Sequence, residues 1–118
     1  MRRIGGLFGV TVALGGCGVT DPVCTDEARP ALGVLAQDSV SGAFVVGAAV
    51  LAHDGSYRDS VLTRTQDGYA FLANGRPGRY EVDVRHEQYQ DWNATAVEVG
   101  ADGCGPLMVT LVAKMQQR

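Results

Sequence analysis

The sequence predicts an all-β domain: a seven-stranded antiparallel β-sandwich that follows a cleaved signal peptide. Three observations lead there. Apolar residues alternate with polar ones in short runs, with no amphipathic stretch long enough for a helix. Turn clusters rich in Gly, Asp, Asn and Pro punctuate the chain about every ten residues. The first residues form a charged and then apolar segment of the export type.

The export segment comes first. Arg2 and Arg3 precede the short apolar run Ile4 to Leu14, which ends in Leu14-Gly15-Gly16-Cys17. The run is too short to span a bilayer, which needs roughly 20 apolar residues. The small pair Gly15-Gly16 suits a peptidase cleavage site. A Cys directly after Leu-Gly-Gly resembles the lipoprotein signal, in which the thiol is acylated and becomes the new N-terminus. Residues 1–16 are then the lipoprotein signal peptide and Cys17 is the lipidation site. Residues 17–30 are the lipidated Cys and tether, and residues 31–115 are the sandwich. Two or three acyl chains anchor stably where one is marginal. The expected place is the cell envelope. By resemblance to the enterobacterial sorting rule, Gly18 rather than Asp after the lipid Cys favours the outer over the inner membrane.

Cleavage after residue 16 takes the 118 residues to 102 and, with Arg2 and Arg3 gone, the formal charge from −3 to −5. That is one small acidic domain. Lys114 is its only lysine, and the sequence has no basic run. Nucleic acid is therefore excluded as a partner, because phosphate neutralisation needs a basic face. The remaining partners are membrane lipid through Cys17 and an envelope protein or glycan. If Cys17 carries lipid, Cys24 and Cys104 remain, and an even pair in an oxidising compartment reads as a disulfide. Two free thiols are the alternative.

Leu32 to Gln37 reads as the first strand, ended by Asp38-Ser39-Val40-Ser41-Gly42. Val45 to His53 reads as the second, closed by Asp54-Gly55, and Tyr57 to Thr65 as the third. Gln66-Asp67-Gly68 predicts a tight hairpin turn into Tyr69 to Leu72. Asn74-Gly75-Arg76-Pro77-Gly78 is the densest turn cluster. After it, Tyr80, Val82 and Val84 alternate with charges up to His86, the clearest half-buried strand in the chain. Ala94 to Val99 follows, with Ala96 or Val97 and Val99 available to the core. Asp102 to Pro106 turns into a last strand, Leu107 to Val112. A short helical turn is expected near Ala28 or Gln88.

Several of these segments together resemble one family. Asp38 with Ser41-Gly42 and Gly47-Ala48-Ala49-Val50 looks like D-x-x-x-G followed by G-A-x-V. Thr65-Gln66-Asp67-Gly68-Tyr69-Ala70-Phe71 resembles T-D-x-D-G-x-[FY], with Gln66 in place of an Asp. Pro77-Gly78-Arg79-Tyr80-Glu81-Val82-Asp83-Val84 resembles P-G-x-Y-x-V-x-V. Glu87-Gln88-Tyr89 stands where Gly-Tyr is usual. Over about residues 31–113 the chain resembles the carboxypeptidase regulatory-like domain. That resemblance implies a transthyretin-like (prealbumin-like) sandwich, and fold does not imply function.

Candidate sites are sparse. His53-Asp54 and His86-Glu87 offer imidazoles beside carboxylates that could bind a metal, yet solvated turn residues are the favoured explanation, and no metal is expected. Asp38, Asp54, Asp67 and Asp102 lack the dense spacing of a calcium loop. Ser39, Ser41, Ser56 and Ser60 sit in no nucleophile elbow. The Tyr-Arg-Gly-Ser tail of the transthyretin-like hydrolases is missing from the terminal Lys114-Met115-Gln116-Gln117-Arg118. No enzyme activity and no cofactor is expected. Tyr57, Tyr69, Tyr89 and Trp92 are candidates for an aromatic platform, with Tyr89 and Trp92, expected in a loop, as the speculative ligand-binding pair. Capping of the core is the alternative. The expected function is a non-catalytic envelope lipoprotein, a tethered binding or structural module. The alternatives are a carbohydrate- or peptidoglycan-binding module and, third, a transthyretin-like hydrolase.

Overall fold

The computed structural model describes Cys24 and residues 28–118. The expected signal peptide, Cys17 and most of the expected tether lie outside the described residues. Among the described residues nine strands follow in order: β1 Leu32–Asp38, β2 Ala49–Asp54, β3 Tyr57–Leu62, β4 Tyr69–Leu72, β5 Gly78–His86, β6 Tyr89–Val99, β7 Ala101–Asp102, β8 Gly105–Pro106 and β9 Val109–Met115. The domain is all-β, and the described residues contain no helix, near Ala28 and Gln88 included. The strands form a three-stranded sheet β9-β1-β4, a four-stranded sheet β3-β2-β5-β6 and the small hairpin β7-β8.

Alternation places one face of each large sheet in a shared core. Leu32, Val34 and Ala36 of β1 meet Val50 and Ala52 of β2, Tyr80, Val82 and Val84 of β5, and Ala113 and Met115 of β9 in one buried cluster. Tyr80 is the largest fully buried side chain. The alanines at 36, 48, 52, 70, 73 and 113 keep the cluster thin.

The expected antiparallel arrangement is corrected at one place. β9 pairs with β1 in parallel, from Val109 opposite Leu32 to Met115 opposite Asp38. The other pairs are antiparallel. An alternating strand pattern is the same for either direction, so only the crossover path decides it. The chain leaves β6 at one edge of the four-stranded sheet, turns through β7-β8, and reaches β1 from the end where β1 itself begins. Among the described residues the two large sheets hold three and four strands, and the two-residue strands β7 and β8 form a separate hairpin.

Three boundaries move for identifiable reasons. The second strand starts at Ala49 rather than Val45, because Val46-Gly47 turns, with Gly47 at φ +72°. Thr63, 3% exposed, secures that turn. Its Oγ1 donates to Val45 O (2.7 Å) and accepts from Ala48 N (2.9 Å). The sixth strand starts at Tyr89, well before Ala94. Its register against β5 shifts between Tyr80 and Val82 and again between Val84 and His86, and Ala96 sits at φ +56°. A bulge inserts a residue and flips the phase of alternation. Trp92 and Ala94 therefore face the core on one phase, and Val97 and Val99 on the other. The last strand runs Val109–Met115 instead of Leu107 to Val112, leaving Leu107 and Met108 exposed.

Two turns work differently from expectation. Gly68 takes φ +73°, as an Asp-Gly turn requires. The strands it joins, β3 and β4, belong to different sheets, so the turn hands the chain from one layer to the other. At Pro77-Gly78 the glycine supplies space: a Cβ there would lie 2.5 Å from Asp54 Oδ2.

Candidate functional site

The open face of the four-stranded sheet brings an imidazole together with two carboxylates. In the antiparallel register His53 lies opposite Arg58 on β3 and Glu81 on β5. Leu51 lies opposite Ser60 and Asp83, and Asp83 lies opposite Asn93 on β6. Residues directly opposite share a face. Val50, Ala52, Val82 and Val84 turn into the core, so His53, Glu81, Asp83 and Asn93 stand on the other side.

His53 Nε2 is 3.3 Å from Glu81 Oε1. Asn93 Nδ2 donates to Glu81 Oε2 (3.0 Å) and to Asp83 Oδ1 (2.7 Å). One ligand atom each from His53, Glu81 and Asp83 lies within 4.8 Å of the others, and all three residues are half-buried. Beside them runs a shallow depression of about 470 Å³ lined by Leu51, His53, Arg58, Ser60, Asp83 and Arg85. The bulge in β6 falls directly across from Glu81, between its neighbours Tyr80 and Val82. An imidazole with two carboxylates can share a proton or ligate a cation.

The residues singled out from the sequence are regrouped. His53 joins Glu81 and Asp83, whereas Asp54 is engaged elsewhere. Asp54 Oδ2 accepts from Arg76 Nη1 (3.0 Å) and Arg79 N (3.3 Å), which holds its carboxyl below the usual range. The Arg76 guanidinium also lies 4.2 Å from the centre of the Tyr57 ring. His86 sits at the turn between β5 and β6, where its Nδ1 accepts from Gln88 N (3.1 Å).

The four aspartates considered as calcium ligands are likewise dispersed. Asp38, 5% exposed, accepts from Val40 N (2.8 Å), Ser41 N (2.9 Å), Tyr89 O–H (2.9 Å) and Gln117 Nε2 (2.9 Å). The Ser41 and Val40 amides, then Tyr89 and Gln117, hold its carboxyl far below the usual range. Asp67 is lowered by Arg64 and by the Tyr69 amide. Asp102 is lowered by Arg29 and by the Cys104 amide. Each carboxylate is engaged by donors from the protein.

Tyr89 and Trp92 lie in β6 and not in a loop. Both are half-buried and pack against the core, with Trp92 opposite Val84 and the Tyr89 hydroxyl on Asp38. Tyr57 stands elsewhere, edge-on to Tyr80 at 6.3 Å. Tyr69 stacks instead with Phe71, ring centres 5.5 Å apart, and the Arg64 guanidinium lies 5.0 Å from the Phe71 ring. This pair escaped the sequence reading, although its i, i+2 spacing on a strand is the pattern that puts two rings on one face.

Cys24 and Cys104 form a disulfide, Cα atoms 5.3 Å apart, that ties the N-terminal segment to the β7-β8 turn. Arg29 pairs with Asp102 beside it. No family profile matches the chain, and no curated protein matches it.

Proposed function

We propose that the chain is a lipid-anchored module of the cell envelope, held at the outer membrane through Cys17, that acts by binding or display and not by turnover. Its domain is read as a transthyretin-like β-sandwich of the carboxypeptidase regulatory-like kind. The observation that carries this reading is the Cys24–Cys104 disulfide. The sequence has three cysteines, and the disulfide uses two of them. The third, Cys17, is the one that follows Leu14-Gly15-Gly16. A structural disulfide also belongs to an oxidising compartment, in agreement with an export segment. The hydrogen bonding of Asp38, Asp54 and Asp102 to groups of the protein suits a rigid module that holds a surface in place.

Metabolic labelling with palmitate tests the anchor. The wild-type chain is expected to take up label and to fractionate with membranes. C17A is expected to lose the label and become soluble, while the double variant C24S/C104S keeps the label. Label that persists in C17A would overturn the reading.

A further inference from the structure

We propose that His53, Glu81 and Asp83 form a binding site for a first-row divalent cation of the Zn²⁺ type, bridging β2 and β5 on the open face of the four-stranded sheet. The donors come from two hydrogen-bonded neighbouring strands, so the sheet register fixes their separation. In a tetrahedral zinc site the metal–ligand bonds are about 2.0–2.2 Å, which places neighbouring donor atoms roughly 3.4 Å apart. His53 Nε2 and Glu81 Oε1 already stand 3.3 Å apart. The full set lies within 4.8 Å, so the remaining closure is an ångström-scale adjustment of half-buried side chains.

Charge and hydrogen bonding point the same way. Glu81 and Asp83 occupy the same face of β5 two residues apart, where like charges repel. Asn93 donates to one oxygen of each carboxylate, Oε2 and Oδ1. That turns Glu81 Oε1 toward His53 and leaves the second Asp83 oxygen for a further partner. An outer partner that orients ligating carboxylates is a general feature of metal sites. A divalent cation would neutralise the two carboxylates. Arg58 stands beyond His53 on β3, and Arg85 lies 3.9 Å from Asp91. The imidazole in the set selects against Ca²⁺ and Mg²⁺, which take six or more oxygens. A fourth position opens to the depression beside the site, where water completes the shell.

The test is calorimetric titration of ZnCl₂ into the full chain carrying C17S, with the disulfide closed so that no thiol competes. One Zn²⁺ per chain is expected, with Kd on the order of micromolar. H53A and D83N are each expected to weaken binding at least about tenfold, and H86A to leave it unchanged. Because binding to the native state raises the melting midpoint, ZnCl₂ should raise it in the C17S chain and not in H53A, and a chelator should reverse the rise. Melting of H53A without metal shows whether the variant has folded. If the C17S chain shows no binding, or if a folded H53A binds as it does, the site does not exist. Loss in H86A with retention in H53A would also overturn the proposal by moving the ion to the other histidine.

Discussion

Thr63→Val is the perturbation that tests most directly how this fold is held. Valine matches threonine in shape, so the substitution removes a hydroxyl and little else. That hydroxyl is 3% exposed at the residue level and satisfies two buried backbone groups, Val45 O at 2.7 Å and Ala48 N at 2.9 Å. An unsatisfied buried donor or acceptor costs about 1–3 kcal/mol. Two of them, offset in part by the added apolar methyl, give an expected loss of about 2–4 kcal/mol. For a domain of this size that corresponds to a fall in melting midpoint of roughly 10–20 °C. Serine keeps the hydroxyl, so Thr63→Ser should retain most of the stability. The assay is urea unfolding followed by circular dichroism with the disulfide intact, read as the change in midpoint at constant slope. A loss below about 1 kcal/mol for T63V would refute the claim that Thr63 ends the preceding turn and sets where β2 begins.

Two further outcomes follow from the same geometry. Asp38 is ionised far below its ordinary value of 3.8 because four donors face it. A carboxyl lowered on folding contributes stability that is present above its unfolded pKa and lost as pH falls toward the folded value. The stability gap between wild type and D38N should therefore narrow as pH drops below about 4; a gap that stays constant in a pH series of unfolding curves would remove the charge from the explanation. Trp92→Ala should cost about 2–3 kcal/mol, below the range for fully buried tryptophan because Trp92 is half-buried. A W92A chain that melts like wild type yet loses affinity for peptidoglycan would restore Trp92 as a ligand-binding residue.

What could be read from the sequence depended on how local the cause was. Tyr80, Val82 and Val84 alternate within one uninterrupted strand phase, and the core contains them as expected. The Cys24–Cys104 link was legible because assigning Cys17 elsewhere leaves one pairing. β6 was half-missed because its bulge near Ala96 splits one strand into two phases, and each half alone looks like a shorter strand or a loop. The direction of β9 depends on a crossover, which residue periodicity does not encode. The cluster on the open face was invisible for a related reason. His53 was weighed with its neighbour Asp54, but adjacent residues on a strand point to opposite faces. Its true neighbours, Glu81 and Asp83, are set by the register between β2 and β5, and a slip of one residue would send them into the core.

The domain is fastened at both ends by chemically different clasps. β1 and β9 are parallel, so their first residues, Leu32 and Val109, lie together at the end that Cys24 and Arg29 flank. The disulfide and the Arg29–Asp102 pair close that end by joining Cys24 and Arg29, N-terminal to β1, to the β7-β8 turn that leads into β9. At the opposite end Asp38 finishes β1 and collects Tyr89 from the start of β6 and Gln117 from the chain terminus, while Ser39 N donates to Met115 O at 2.8 Å. The first clasp is covalent and yields to reductant. The second is strongest while Asp38 is ionised and is weakened by acid. A pull through an anchored Cys17 would meet the covalent clasp first, before any strand is loaded. The stronger fastening thus stands on the side that a lipid tether would strain.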